Sequence, residues 1–158
     1  MANTSYLKKE VEPVLVQWAS EKLGVPLSKK RVVVGQNSQG EDVSFEFDGV
    51  SADGGIAVCV SASSSYKTGQ MRKFFMEATL LNQVPQFRQR AMVFISENIR
   101  KGFKNQCDGL VDLGKIELLV CTDLREDMKV KIREIFRSAA KEVRAKRGPG
   151  KHVQRRRR

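Results

Sequence analysis

Hydrophobic and polar positions alternate most cleanly over residues 43–47. Val43, Phe45 and Phe47 stand opposite Ser44 and Glu46, the period-two pattern of a half-buried strand. A second apolar run, residues 56–60, alternates more weakly, with Ile56, Val58 and Val60 opposite Ala57 and Cys59. Between the runs lie Gly49, Gly54 and Gly55, which allow the backbone angles of a tight connection. The pair predicts an antiparallel hairpin with Asp48 at the end of its first strand. A strand over residues 29–36, centred on 31–34 and closed by the turn at 37–40, precedes it. Three strands in succession make a meander.

Elsewhere the period is helical. Leu7, Val11, Val14, Leu15, Trp18 and Leu23 recur at spacings of three and four, which predicts a helix over residues 5–23. Pro13 requires that helix either to start close to Glu12 or to carry a kinked preceding turn. Gly24 and Val25-Pro26 stop it. Over residues 68–84, Met71, Phe74, Phe75, Ala78 and Leu81 form a core stripe ended by Pro85. Lys73 and Glu77, four apart on its flank, read as a surface ion pair. Residues 90–96 (RAMVFIS) and 116–121 (IELLVC) are apolar without alternation, as strands covered on both faces are. Between them, residues 97–107 predict a short helix with Ile99 and Phe103 inward, and residues 108–114 a loop. Thr122 or Asp123 caps a long final helix whose inner stripe is Leu124, Met128, Ile132, Ile135, Phe136, Ala139 and Val143. A meander followed by two helix–strand units implies one mixed sheet with helices on both sides, an α/β fold.

Composition adds bounds. A chain of 158 residues with 41% hydrophobic and 30% charged residues can bury one domain's core, placed at residues 1–147. No apolar run approaches the ~20 residues of a membrane helix, and the N-terminus MANTSYLKKEVEP has no secretory h-region. Cys59, Cys107 and Cys121 are an odd number without a CxxC pair, which predicts reduced thiols and a cytoplasmic protein.

Charge is uneven. Residues 137–158 hold ten Lys or Arg against Glu142, a balance of +9, while the preceding 136 residues carry 19 basic and 17 acidic groups, a balance of +2. Residues 148–158 therefore read as a disordered basic arm, with Lys151, Arg155, Arg156, Arg157 and Arg158 placed to meet phosphates. A solubilising tail is the structural alternative. A membrane partner is not predicted, since the arm has almost no apolar residues to insert.

The repertoire of chemistry is narrow. The one histidine, His152, lies in the arm, which removes Ser-His-Asp and Cys-His catalysis and histidine-ligated zinc from the folded body. Neither GxxxxGK[ST] nor GxGxxG occurs. Carboxylate chemistry with a hard cation such as magnesium remains.

The element order and the stretch FDGVSADGGIAVCVSAS are similar to the PD-(D/E)XK nuclease superfamily, the restriction-endonuclease-like three-layer fold, over residues 5–145. Phe47-Asp48-Gly49-Val50-Ser51 with Asp53-Gly54 resembles members whose motif reads FDxVSxDG. The resemblance implies that Asp48 is the metal-binding aspartate. It puts the family's acidic position at Cys59 and its lysine position at Ser61, on one strand face. Cys59 lacks a carboxylate's charge and Ser61 lacks an ammonium, so the motif is degenerate. Some members carry the acid or the lysine on the following helix, where Lys73 and Glu77 lie, with Lys67 before it. Glu46 shares the face of Asp48, and Glu10 takes the place of a first-helix carboxylate found in several members. Capping of the turn is the structural alternative for Asp48.

Three readings follow. The first is a non-catalytic nucleic-acid-binding or accessory protein of nuclease fold, with DNA ahead of RNA. The second is an active magnesium-dependent nuclease with migrated residues. The third is a scaffold or interaction protein, for example a homodimer formed through the sheet edge or a helix face.

Overall fold

The structure, a computed structural model, describes residues 4–65 and 68–147. The basic-arm residues Lys151, Arg155, Arg156, Arg157 and Arg158, and Lys67, lie outside the described residues.

The chain opens with a helical run: one turn at Thr4–Tyr6, a π-type turn at Leu7–Val11, then α1 at Glu12–Leu23. Both expectations for Pro13 are met together. The α-helix starts at Glu12 with proline in its first turn, and a wider turn is joined ahead of it. Proline has no N–H for the carbonyl four residues back and its ring crowds that carbonyl, so a turn of i→i−5 bonding relieves the clash. The Glu12 N–H donates to Leu7 O in that way. Gly24, at φ 69°, ends α1 in the left-handed region.

Three antiparallel strands follow: β1 (Leu27–Gln36), β2 (Asp42–Ser51) and β3 (Ile56–Val60). α2 (Thr68–Gln83) leads to β4 (Gln89–Phe94), and α3 (Glu97–Cys107) leads through a short 3-10 turn to β5 (Glu117–Val120). α4 (Glu126–Arg147) closes the described chain. The five strands form one sheet in the order β1-β2-β3-β4-β5, with β4 parallel to both β3 and β5.

Both parallel crossovers step the same way across the sheet, so connections of one hand put α2 and α3 on the same face. There Phe74 packs edge-on against Phe94 and Phe103, and Phe47 against Phe87. α1 and α4 cover the other face, where Leu15, Ala19, Met128 and Ile132 meet Val58, Val60 and Val93. The result is three layers with a core on each side of a mixed sheet.

Several expectations are corrected in detail. Asp48 does not end β2. The strand runs on through buried Val50 to Ser51, and the turn is set further along. Ser51 Oγ donates to Asp53 Oδ1 at 2.6 Å and accepts from the Ile56 amide at 3.0 Å. Phe75 is 40% exposed, and the buried arc of α2 is Phe74, Glu77, Ala78 and Leu81. β5 is an edge strand with Glu117 exposed, so it is covered less than its apolar run predicts. α4 starts at Glu126, after Leu124 has been buried, so neither Thr122 nor Asp123 caps it. Val143 lies exposed near its far end.

Candidate metal centre

The site forms where β2 and β3 separate. Their ladder pairs Val50 with Ala57 and Gly49 with Val58. The next bond is made by a side chain, with the Val60 amide donating to Asp48 Oδ2 at 2.8 Å. β3 meanwhile keeps its bonds to β4, as Ser61 N–H donates to Val93 O at 2.9 Å. A strand fork thus holds Asp48 by one oxygen and leaves acceptor capacity on its carboxylate. Gly49 permits close approach at this point. A Cβ there would lie 3.1 Å from Leu27 Cβ and 3.4 Å from Val16 Cγ1, so β1 and α1 press in beside Asp48.

α2 supplies the second carboxylate. Glu77 falls three residues after Phe74 and four before Leu81, within the stripe that packs on the sheet. It is 3% exposed. One ligand atom each from Asp48, Cys59 and Glu77 lie within 4.8 Å of one another. Glu77 Oε1 faces Lys73 Nζ at 3.6 Å, an ion pair longer than a hydrogen bond. Glu77 Oε2 is buried with no hydrogen-bond partner. The expected surface pair is therefore a half-buried one, with the carboxylate inside and the ammonium toward solvent.

On the other side, Glu12 and Asp48 line a cleft of about 270 Å³ whose rim includes Lys8 and Lys29. Glu12 reaches it from the first turn of α1, just after the π-type turn that Pro13 enforces.

The electrostatics follow from three carboxylates around Lys73, with Lys29 and Lys8 at the edge of the cleft. Burial raises the pKa of Glu77 to about 7, with Lys73 opposing and Asp48 adding to the rise. Burial also raises Asp48, against the Val60 amide and Lys73. Burial and then the charge of Asp48 raise Glu12. Burial works against the Lys73 ammonium, yet Glu77, Asp48 and Glu12 together hold its pKa above the ordinary value. Burial, with Glu77 and Asp48 nearby, pushes the Cys59 thiol well up. The three carboxylates share Lys73, while Lys29 acts on Asp48 and Glu12 and Lys8 on Glu12; the oxygen donors and the unpartnered Glu77 Oε2 are of the kind a divalent cation takes.

The structure thus brings Asp48, Cys59, Lys73 and Glu77 together. It does not bring Glu10, which is exposed in the π-type turn while Glu12 occupies the cleft. Ser61 is buried and its Oγ accepts from the Ser63 amide at 3.2 Å, so its hydroxyl shapes the loop after β3. Glu46 is exposed and pairs with Lys29 at 3.8 Å. The turn-capping alternative for Asp48 is removed, because Asp53 holds the turn. Comparison with protein-family models, with curated proteins and with solved structures gave no match.

Proposed function

We propose that this centre is a divalent-metal-dependent phosphodiesterase site acting on nucleic acid, DNA ahead of RNA, of the PD-(D/E)XK kind with its acid and lysine moved to α2. One observation carries the reading: a buried Glu77 carboxylate near Asp48, with one oxygen, Oε1, facing Lys73 and the other, Oε2, left without a hydrogen-bond partner. Burying a carboxylate without full compensation is costly, and perturbed carboxylates in a cleft mark functional sites.

Asp48 and Glu77 would hold magnesium, and the bound ion would polarise a phosphoryl oxygen and lower the pKa of a bound water. Lys73, in contact with Glu77, supplies the ammonium missing at Ser61 and stands ready to meet charge developing on phosphate. Glu12 adds a third negative charge at the cleft, while Lys8 and Lys29 give its rim the positive charge that a polyanion requires. The basic arm would add salt-sensitive affinity.

The test is cleavage of plasmid, single-stranded DNA and RNA with magnesium or manganese by wild type and Asp48→Ala. The reading requires metal-dependent cleavage that Asp48→Ala abolishes. No cleavage by either protein overturns it and leaves the non-catalytic binding role favoured by Cys59 and Ser61 at the usual acid and lysine positions. Deleting residues 148–158 removes five cations. It is expected to flatten the logarithmic salt dependence of DNA binding by up to about 4.5, at 0.9 per phosphate contact. An unchanged slope would favour the scaffold reading.

A further inference from the structure

Cys59 is the member of the cluster that a magnesium site does not explain. It sits on β3, 2% exposed, with its Sγ among the three ligand atoms that lie within 4.8 Å of one another. Magnesium takes oxygen ligands and gains nothing from sulfur. Zinc and cobalt bind sulfur readily, and zinc with Cys and carboxylate donors is commonly four-coordinate. Donor atoms around a tetrahedral zinc, with bonds of about 2.0–2.3 Å, stand about 3.5 Å apart. The widest of these separations exceeds that spacing by no more than about 1.3 Å. The second observation is Glu77 Oε2, on a residue 3% exposed, which lacks any partner. Two carboxylates and a thiol leave one position of a tetrahedron for water or a phosphate oxygen.

We infer that Asp48, Cys59 and Glu77 form a mixed carboxylate–thiolate site that takes zinc or cobalt in preference to magnesium, with Cys59 Sγ as a direct ligand. The inference rests on the reading of this cluster as a metal centre. On binding, the S–H bond breaks, an S–metal bond forms and the proton leaves to solvent, with no change of oxidation state. Magnesium would bind through the two carboxylates alone and leave the thiol intact.

The test is a titration of the full chain with cobalt under reducing conditions, read by thiolate-to-cobalt charge-transfer absorption in the near ultraviolet. Binding itself is followed by calorimetry. The band is expected in wild type and in Cys107→Ser, and is lost in Cys59→Ser, which still binds cobalt. The zinc-edge X-ray absorption of wild type, which needs no variant, is expected to show a sulfur neighbour at about 2.3 Å. Cobalt binding without the band, zinc with only oxygen or nitrogen neighbours, or a band that persists in Cys59→Ser overturns the inference and leaves the metal centre standing. Absence of binding by cobalt, zinc and magnesium alike overturns both.

Discussion

Asp48 and Asp53 lie five residues apart on the same hairpin, yet their surroundings are opposite. Asp53 has a full set of partners. Ser51 Oγ and the Gly55 amide donate to its Oδ1, and Arg88 pairs with Oδ2 at 2.7 Å. Those hydrogen bonds, first from Ser51 and then from Gly55 and Arg88, hold its pKa well below the usual carboxylate range. Asp48 has the single amide of Val60, with Glu12 and Glu77 as neighbours, and its pKa is raised by burial. One aspartate completes a turn. The other lies beside two further carboxylates at the strand fork. The difference teaches that the far end of this hairpin is closed by bonds within the chain, while the fork gathers carboxylates that such bonds satisfy only in part.

Charge removal breaks the comparison most sharply. Asp48→Asn keeps an oxygen for the Val60 amide and removes the charge. It is expected to lower metal-dependent cleavage by ~10²–10³, with Lys73→Met close behind. Asp53→Ala is expected to do the reverse, lowering the melting temperature while cleavage per folded molecule is kept. Circular-dichroism melts beside cleavage rates check both halves.

The next effect is on stability. Glu77 has a pKa near 4.5 when unfolded and about 7 when folded. Between those values the folded chain keeps a proton that the unfolded chain has released. Stability therefore falls as pH rises from about 4.5 to about 7 and levels off above. The shift is equivalent to about 3 kcal/mol, at 1.36 kcal/mol per unit. Glu77→Gln is expected to flatten that slope and to be the more stable protein near pH 8 without metal. Urea unfolding at several pH values checks it, and an unchanged slope would assign the loss to another group.

The smallest effect is at the turn. A Cβ on residue 55 would come 1.6 Å from Arg88 Nη1, the tip of a flexible side chain. Gly55→Ala is expected to push Arg88 off Asp53, to lower the melting temperature slightly and to leave cleavage untouched. A fall in cleavage would show that the two ends of the hairpin are coupled.

The same contrast marks what the sequence made legible. Element order, the meander and the Asp53-Gly54 turn were readable because alternation, helical spacing and turn residues are local signals. The site was readable by half. The pattern points to Asp48, but it places Glu77 on a flank, because the apolar Phe75 completes an equally regular stripe with Met71 and Phe74. Only packing decides that the helix turns Glu77 inward and Phe75 outward. The spacing of Glu77 from Phe74 and Leu81 was the available signal. The resemblance points to Glu10, whereas Glu12 lines the cleft; the π-type turn ahead of Pro13 shifts the helix register there, which an ideal 3.6-residue period does not anticipate.

The most direct test of the central claim is the melting temperature near pH 8 with and without manganese, for wild type and Glu77→Gln. At a hundred times Kd, a ligand of the folded state contributes ~2.7 kcal/mol, or about 5–10 °C for a chain of this size. That shift is expected in wild type and is lost in Glu77→Gln, which starts from the higher metal-free melting temperature. Equal shifts in the two proteins, or none in wild type, would contradict that claim.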